Sequence, residues 1–399
     1  MRQPIEVPIA NVLDVVIDHR GLTPKKLGAD WASCGVQVIS AMNIKEGQLD
    51  TFITQRYVTP NVFERWMPEK LRRGDILMTS EAPLGAVAVF EEEGNFCLGQ
   101  RLFALRAKPS KLDQQYFFWV LQAPLVQNRF VARSTGTTAK GIRQSELLQV
   151  HIPLPPIEEQ RRIAAILDKA DAVRRKRKEA IALTEELLRS AFLEMFGDPV
   201  TNPKGWEVVP FSQLVQGEMR NGLSPSNKGT YKGQVLTLSA ITQGTFNSTQ
   251  RKTAEFDVPP PKDKMVRKSD LLVCRGNGNI NLVGCARFPD NDYKDVMFPD
   301  TIIGVPINSS LINSSYLETL WNSSSVRRQI EQQARTTNGT QKINQKVLNN
   351  IQILLPPIAL QEKFGAFYHA IKAVSVRFTD SAPNDLFNSL LQRAFRGEL

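Results

Sequence analysis

The sequence is short of the residues that build metal and nucleophile sites. It holds only 4 cysteines and 3 histidines. Cys34, Cys97, Cys274 and Cys285 never approach zinc-ribbon spacing, and His19, His151 and His369 form no His-x-x-x-His pair. Scattered thiols fit a reducing compartment, so a cytoplasmic protein is expected. No apolar run reaches the length of a bilayer-spanning helix, and the N-terminus lacks a signal-peptide hydrophobic core. A Gly-x-x-x-x-Gly-Lys-Ser/Thr phosphate loop is missing, which argues against an ATP motor. So is an Asn/Asp-Pro-Pro-aromatic stretch to stack and hydrogen-bond an extruded adenine, since Asp198-Pro199-Val200 has the wrong neighbours. No nucleophile, base and orienter stand together. The expectation is a chain with no catalytic residues and no metal site.

What is present is a duplication. Leu154-Pro155-Pro156-Ile157-Glu-Glu-Gln160 returns as Leu355-Pro356-Pro357-Ile358-Ala-Leu-Gln361, with Pro356 standing 201 residues after Pro155. Proline lacks an N–H and fixes φ, so each run precedes a helix rather than lying inside one. Glu158 and Glu159 then sit at the positive end of the helix dipole. Apolar residues follow at steps of three and four, and nothing breaks them until Gly197 and Pro199, which predicts one helix over 157–196, about 60 Å long at 1.5 Å per residue. The expected seam is Ile163, Ile166, Ala170, Val173 and Leu187, widened by Leu167, Ile181, Leu188, Phe192 and Met195. Its expected partner is the second copy, through Phe364, Phe367, Ile371, Val374 and Leu390. That copy gains two residues near Pro383, where a break is expected.

The stretches before the helices also match. Asp75-Ile-Leu-Met and Asp270-Leu-Leu-Val read as equivalent strands, and Tyr316 to Trp321 repeats Tyr116 to Leu121, a helix capped near Asp113. Leu147 to Leu154 alternates like a closing strand. The expected class is α+β: two duplicated mixed α/β domains separated by long helices that pair as an antiparallel coiled coil. The divisions fall at 1–153, 154–197, 198–355 and 356–399. The five tryptophans, Trp31, Trp66, Trp119, Trp206 and Trp321, are expected in the cores.

Net charge is +10, with 18 basic against 15 acidic side chains in 1–150 and 18 against 13 in 197–355. A diffuse positive field suits nucleic acid or solubility alike. The candidate DNA contacts are two polar loops in matching places. One carries Arg133, Ser134, Thr135, Thr137, Thr138, Lys140 and Arg143, with Gly136 and Gly141 allowing close backbone approach. The other carries Arg335, Thr336, Thr337, Asn338, Thr340, Gln341 and Lys342. Further candidates lie where the halves differ: Arg20, Thr23, Lys25 and Lys26; Ser80 and Glu81 between paired strands; Arg275, Asn277, Asn279 and Asn281 in the corresponding loop; and Arg220, Asn221 and Lys228. Arginine pairs bidentately with guanine and asparagine with adenine, although Gly276-Asn-Gly-Asn279 equally reads as a plain turn. The run Arg174-Arg-Lys-Arg-Lys178 reads as a solvated helix face.

With Asp18-His-Arg-Gly-Leu-Thr-Pro24 near the start and Leu-Pro-Pro-Ile-x-x-Gln recurring behind each polar loop, the chain resembles the specificity subunit of Type I restriction–modification systems. The resemblance covers essentially the whole chain. It implies two target-recognition domains, each reading one half of a split duplex DNA site, and helices that set the gap and dock two methyltransferase subunits. Restriction subunits would join that complex, with S-adenosylmethionine, ATP and Mg on the partners and none bound by this chain. It also implies that this chain does no chemistry. Two other readings stand beside it. A self-contained DNA-modifying or DNA-cleaving enzyme would act on duplex alone; a coiled-coil assembly protein would bind no duplex at any salt.

Overall fold

The computed structural model describes residues 5–399 except 138, 227–228, 260, 338 and 380–381, and leaves the side chains of 336–337, 376–379 and 382–383 undescribed. The chain divides into two units, Met1–Lys178 with Asp380–Leu399, and Glu179–Thr379. Helix and strand are mixed in both.

In the first unit four antiparallel strands lie in the order Leu13–Asp18, Leu102–Ala107, Ile76–Thr79, Val87–Val89. Side chains alternate between the faces of a strand. Ile76, Met78, Phe103 and Leu105 therefore enter one core with the helix Gln114–Gln122, while Leu77, Leu102 and Ala104 enter another. Burial on both faces explains why these strands read as nearly unbroken apolar runs. The second unit repeats the device. Leu271, Val273, Ile303 and Val305 face one cluster, and Leu272, Cys274 and Ile302 the other. Cys97 and Cys274 lie buried as free thiols, and burial pushes both up to about 12.

The cap at Asp113 forms as expected, accepting the N–H of Tyr116 at 2.9 Å, and Asn313 takes the same place in the second unit. Leu147 to Leu154 is not one strand. Gln144–Leu148 is a short helix, and only His151–Pro153 is strand, paired with Glu6–Pro8. Leu147, Val150 and Ile152 still all point inward, so the alternation recorded burial rather than extension. Trp66, Trp119 and Trp321 are buried and Trp206 packs at a core edge. Trp31 is instead 45% exposed, with the Arg56 guanidinium 5.4 Å from its ring.

The central helix spans Ile157–Phe196, as its periodicity predicts. In the first unit it runs antiparallel to the last helix, Ala382–Ala394: Arg162 donates to Leu399 O at 2.8 Å, and Arg174 lies 4.7 Å from the Phe387 ring. In the second unit Phe192 and Phe196 meet Phe364 of the penultimate helix, Ile358–Thr379, at 5.5 and 5.6 Å. That helix ends before Ala382 restarts, with Pro383 in the new first turn.

The buried seam is displaced from its expected line. Ile163 is buried, but Ile166 and Ala170 only partly, and Val173 and Leu187 are 54% and 47% exposed. Burial falls on Ala164, Leu167, Leu188, Phe192 and Phe196. The step of one residue turns the helix by about a quarter turn. It brings Leu167, Leu188, Phe192 and Phe196 inward, large side chains that remove much apolar area from water, and Asp171 with its two arginine partners. On the partner, Phe364 is buried, Phe367, Ile371 and Leu390 are partly buried, and Val374 is 43% exposed.

The cationic run lies on a partly exposed helix face and takes carboxylate partners there. Arg174 and Arg175 both grip Asp171, which is 4% exposed, and Lys178 pairs with Glu46. Three of the five cations are thereby fixed at particular places in the first unit.

Candidate nucleic-acid interface

In each unit the polar loop is tied to the end of a central strand. The N–H of Ser80, just past Ile76–Thr79, bonds Arg101 O at 2.8 Å, and Ser80 O accepts from Ile142 N at 2.9 Å. In the second unit Arg275 takes the place of Ser80: its N–H bonds Thr301 O at 2.8 Å and its carbonyl accepts from Ile343 N at 2.9 Å. The loop then folds back as a hairpin. Thr135 and Gly141 exchange two backbone bonds of 2.9 Å each, and Gly141 bridges to Glu81. The second loop is more regular, with Arg335–Thr337 pairing Thr340–Lys342, which pairs Gly276–Asn277. Gly136 is required at its turn. Its φ is +102°, and a Cβ there would stand 2.2 Å from Ala139 O.

The first hairpin closes a cleft of about 470 Å³ that brings together Arg20, Ser80, Glu81, Thr135, Gly136, Gly141 and Arg143. Arg20 is held rigidly. It donates to both carboxylate oxygens of Asp18 at 2.8 and 2.6 Å and to Ile142 O at 2.8 Å, and its guanidinium lies 4.4 Å from the Phe103 ring. Glu81 pairs with Arg101 at 2.9 Å across the cleft wall, and both are substantially exposed. Gln100 and Arg101 also line the cleft. They were not among the sequence candidates, because Asn95 to Leu105 reads as continuous β pattern. The chain in fact turns between Phe96–Leu98 and Leu102–Ala107, with Arg101 at φ +67°. Gly99 inside the run was the available signal.

Other candidates lie outside that cleft. Thr23 accepts from Lys26 N at 3.3 Å at the start of a short turn, leaving Lys25 and Lys26 exposed. Arg133 is drawn to Glu146 at 2.9 Å and Gln149 at 3.2 Å, and Ser134 bonds back to Val131 O at 2.7 Å. Thr137 and Lys140 are exposed on the hairpin. Thr138, Lys228 and Asn338 lie outside the described residues, as do the side chains of Thr336 and Thr337.

In the second unit Arg275 donates weakly to Asp300 O at 3.3 Å, with Thr340, Gln341 and Lys342 on the hairpin beside it. Asn277 accepts from Asn279 N at 2.9 Å and Asn279 from Asn281 N at 3.0 Å, so successive Asx turns shape this loop. Asn281 is exposed and its backbone closes the second of them. Arg220 is a correction. It is 13% exposed, donates to Asp263 O at 2.7 Å and is bound to the buried Asp270, so its charge is committed to the fold. Burial pushes the Asp270 carboxyl up, against the pull of Arg220. Asn221 is laddered to Ile303 and accepts from Gln345 at 3.4 Å.

Each unit is thus built on a sheet and presents a polar hairpin tied to the end of a central strand. The family described as Type I restriction modification DNA specificity domain matches residues 6–183. The EcoKI specificity subunit of Escherichia coli K12 is 25% identical over 98% of this chain and 89% of its own length. The StySPI specificity subunit of Salmonella potsdam is 24% identical over 98% and 88%. Among solved structures, the Type I S subunit of M. genitalium shares the fold with a TM-score of 0.63, at 16% identity over 99% of both chains. Residues 6–183 thus match the Type I restriction modification DNA specificity domain, and the chain is similar along nearly its whole length to Type I specificity subunits.

Proposed function

We infer that this chain reads a split duplex DNA site, one half with each hairpin-bearing head, and holds methyltransferase subunits that modify adenine there. The observation that carries this is the repeated hairpin, tied to the end of a central strand by the same backbone bond in both units, Ile142 N to Ser80 O and Ile343 N to Arg275 O, while its side chains differ. Equal scaffolds place the two readers alike, and unlike residues, Ser80-Glu81 against Arg275-Gly276, give them different sequences to read. Rigid arginine and acceptor carboxylate are the groups that discriminate base edges in a major groove, and hairpin hydroxyls and lysines suit phosphates. The chain is taken to be non-catalytic, with S-adenosylmethionine, ATP and Mg held by methyltransferase and restriction partners.

The test is a head exchange followed by a map of methylated sites. Replacing residues 1–150 by the corresponding segment of another specificity subunit should change one half-site and leave the other. Adding or removing residues within 157–196 should change the gap between halves and neither half. Altered half-sites after a helix change would overturn the reading, and so would methylation or cleavage of duplex by this chain alone.

A further inference from the structure

The two units share several of their helical contacts in register and differ at others. Tyr116 meets Phe395 at 5.4 Å in the first unit, and Tyr316 meets Phe192 at 5.6 Å in the second. Gln160 and Gln361 accept from Asp113 N and Asn313 N alike. In this common register Thr319 stands where the first unit has Trp119, and Thr184 where it has Phe387. The exchange matters because those aromatics fill space. Trp119 and Phe387 are 2% and 5% exposed with rings 5.6 Å apart, and the indole N–H is tied to Asp168 at 2.8 Å. In the second unit both threonines bond back into their own helices, Thr184 to Ile181 O at 2.7 Å and Thr319 to Ser315 O at 2.8 Å.

Thr319 lines an open groove of about 640 Å³ in the second unit, and Thr184 lies one residue before Glu185 on its wall. Leu188, Phe192, Leu193, Thr319 and Tyr368 line it. Ser323 lines it too, and its hydroxyl is shut from solvent with no partner among the described residues. Leu193 at the rim is 41% exposed, and Leu187 on the same helix 47%. A groove of this volume is in the range that takes a two-ring group.

We propose that this groove is a socket for an aromatic side chain of the methyltransferase subunit, received where the first unit supplies Trp119 and Phe387 itself. This rests on the partner reading above. An aromatic ring is the occupant because the same architecture, with the same tyrosine and phenylalanine beside it, is completed by aromatic rings in the other unit. The docking is then unequal: one methyltransferase subunit meets a socket and the other a filled surface.

The test uses the full chain in two arms. Indole is titrated while leucine methyl resonances are followed; shifts at Leu188 and Leu193, abolished in Thr319→Trp and kept in Thr319→Ser, are expected. In the second arm each variant is assembled with the methyltransferase subunit. Thr319→Trp should weaken the second docking event at least tenfold and leave the first unchanged. Leu193→Glu, at the exposed rim, should do the same and stands in if Thr319→Trp fails to fold. Full-strength assembly by both variants overturns the proposal, and so does indole that leaves those methyls unmoved. Self-association lost in Thr319→Trp would make a second copy the occupant and likewise overturn it. If the wild-type chain binds no methyltransferase subunit, the partner reading fails, and the indole arm shows separately whether the socket is real.

Discussion

The side-chain oxygen of Gln160 accepts the backbone N–H of Asp113 at 2.8 Å, joining the start of the central helix to the cap of the buried helix Gln114–Gln122. The same amide donates to Lys111 O at 3.0 Å and Pro155 O at 2.8 Å. Gln361 repeats the clamp with Asn313 N at 2.9 Å and Pro356 O at 2.7 Å. Both glutamines are buried, at 1% and 0% exposure. This gives the recurring Leu-Pro-Pro-Ile-x-x-Gln motif a physical meaning: the prolines stop the strand, and the glutamine three residues into the helix satisfies the groups they expose.

Removing that amide leaves buried donors and acceptors unpaired, at about 1–3 kcal/mol for each unsatisfied group with partial relief from water. Gln160→Ala should cost about 2–3 kcal/mol in chemical unfolding. Gln361→Ala should cost a similar amount, and the two losses should add, because the residues share no partner. Strong coupling between them would show that the clamps do not act within their own units.

The cationic stretch of the central helix separates a structural ion pair from a decorative one. Asp171 is 4% exposed and receives Arg174 and Arg175 at 2.5 Å each, while Arg174 also covers Phe387. The arginines are themselves partly exposed, which reduces the loss below that of a fully buried pair. Asp171→Ala should therefore cost about 1–2 kcal/mol, with little dependence on salt. The hydrogen bond from Lys178 holds the Glu46 carboxyl below its ordinary range, but both lie in solvent. Glu46→Gln should leave the unfolding midpoint unchanged.

What could be read from the sequence follows from how local each signal is. The duplicated strands, the Asp113 cap and the proline-led helix starts each depend on a few neighbouring residues, and all are found in the structure; the break expected near Pro383 borders residues 380–381, outside the described residues. The stripe of the central helix was legible, since Leu167, Leu188 and Phe192 were in it, but its buried centre falls on these edge residues rather than on Ala170, Val173 and Leu187, because periodicity does not weigh the area each side chain buries. Gln100 and Arg101 were missed because a tight turn with one positive φ hides inside an apolar run. The groove beside Thr319 has no local signature at all. It is lined by residues distant in sequence, among them Thr319, which stands where the other unit has Trp119.

The first cleft yields a prediction that distinguishes grip from reading. Arg143 is exposed at the hairpin edge, and Glu81 points an acceptor carboxylate into the cleft beside Arg101. Arg143→Ala should weaken duplex binding to cognate and altered sites alike and lower the slope of log affinity against log salt by about 1. Glu81→Ala should relax the preference at one base pair of one half-site, worth about 1–3 kcal/mol of discrimination. A map of methylated sites in cells carrying each variant checks both.

Glu318 gives the pH dependence a single source that can be isolated. Burial pushes its carboxyl above the ordinary carboxylate range, although Arg287 at 4.0 Å, the Phe288 N–H at 2.8 Å and the more distant charge of Lys372 pull the other way. The Tyr368 hydroxyl donates to it at 3.3 Å. A carboxyl whose folded value is raised keeps its proton longer in the folded state than in the unfolded one. Its favourable contribution is therefore complete below the ordinary glutamate value of 4.5 and is lost as pH rises through the folded value. Glu318→Gln imitates the protonated form and keeps the acceptor for Phe288. The variant and the wild type should melt together near pH 4, and the variant should gain stability over the wild type as pH rises to 8. Thermal melts across that range decide it. A gap that stays constant, or one that favours the wild type at pH 8, would mean that Arg287 holds the carboxylate ionised in the folded protein.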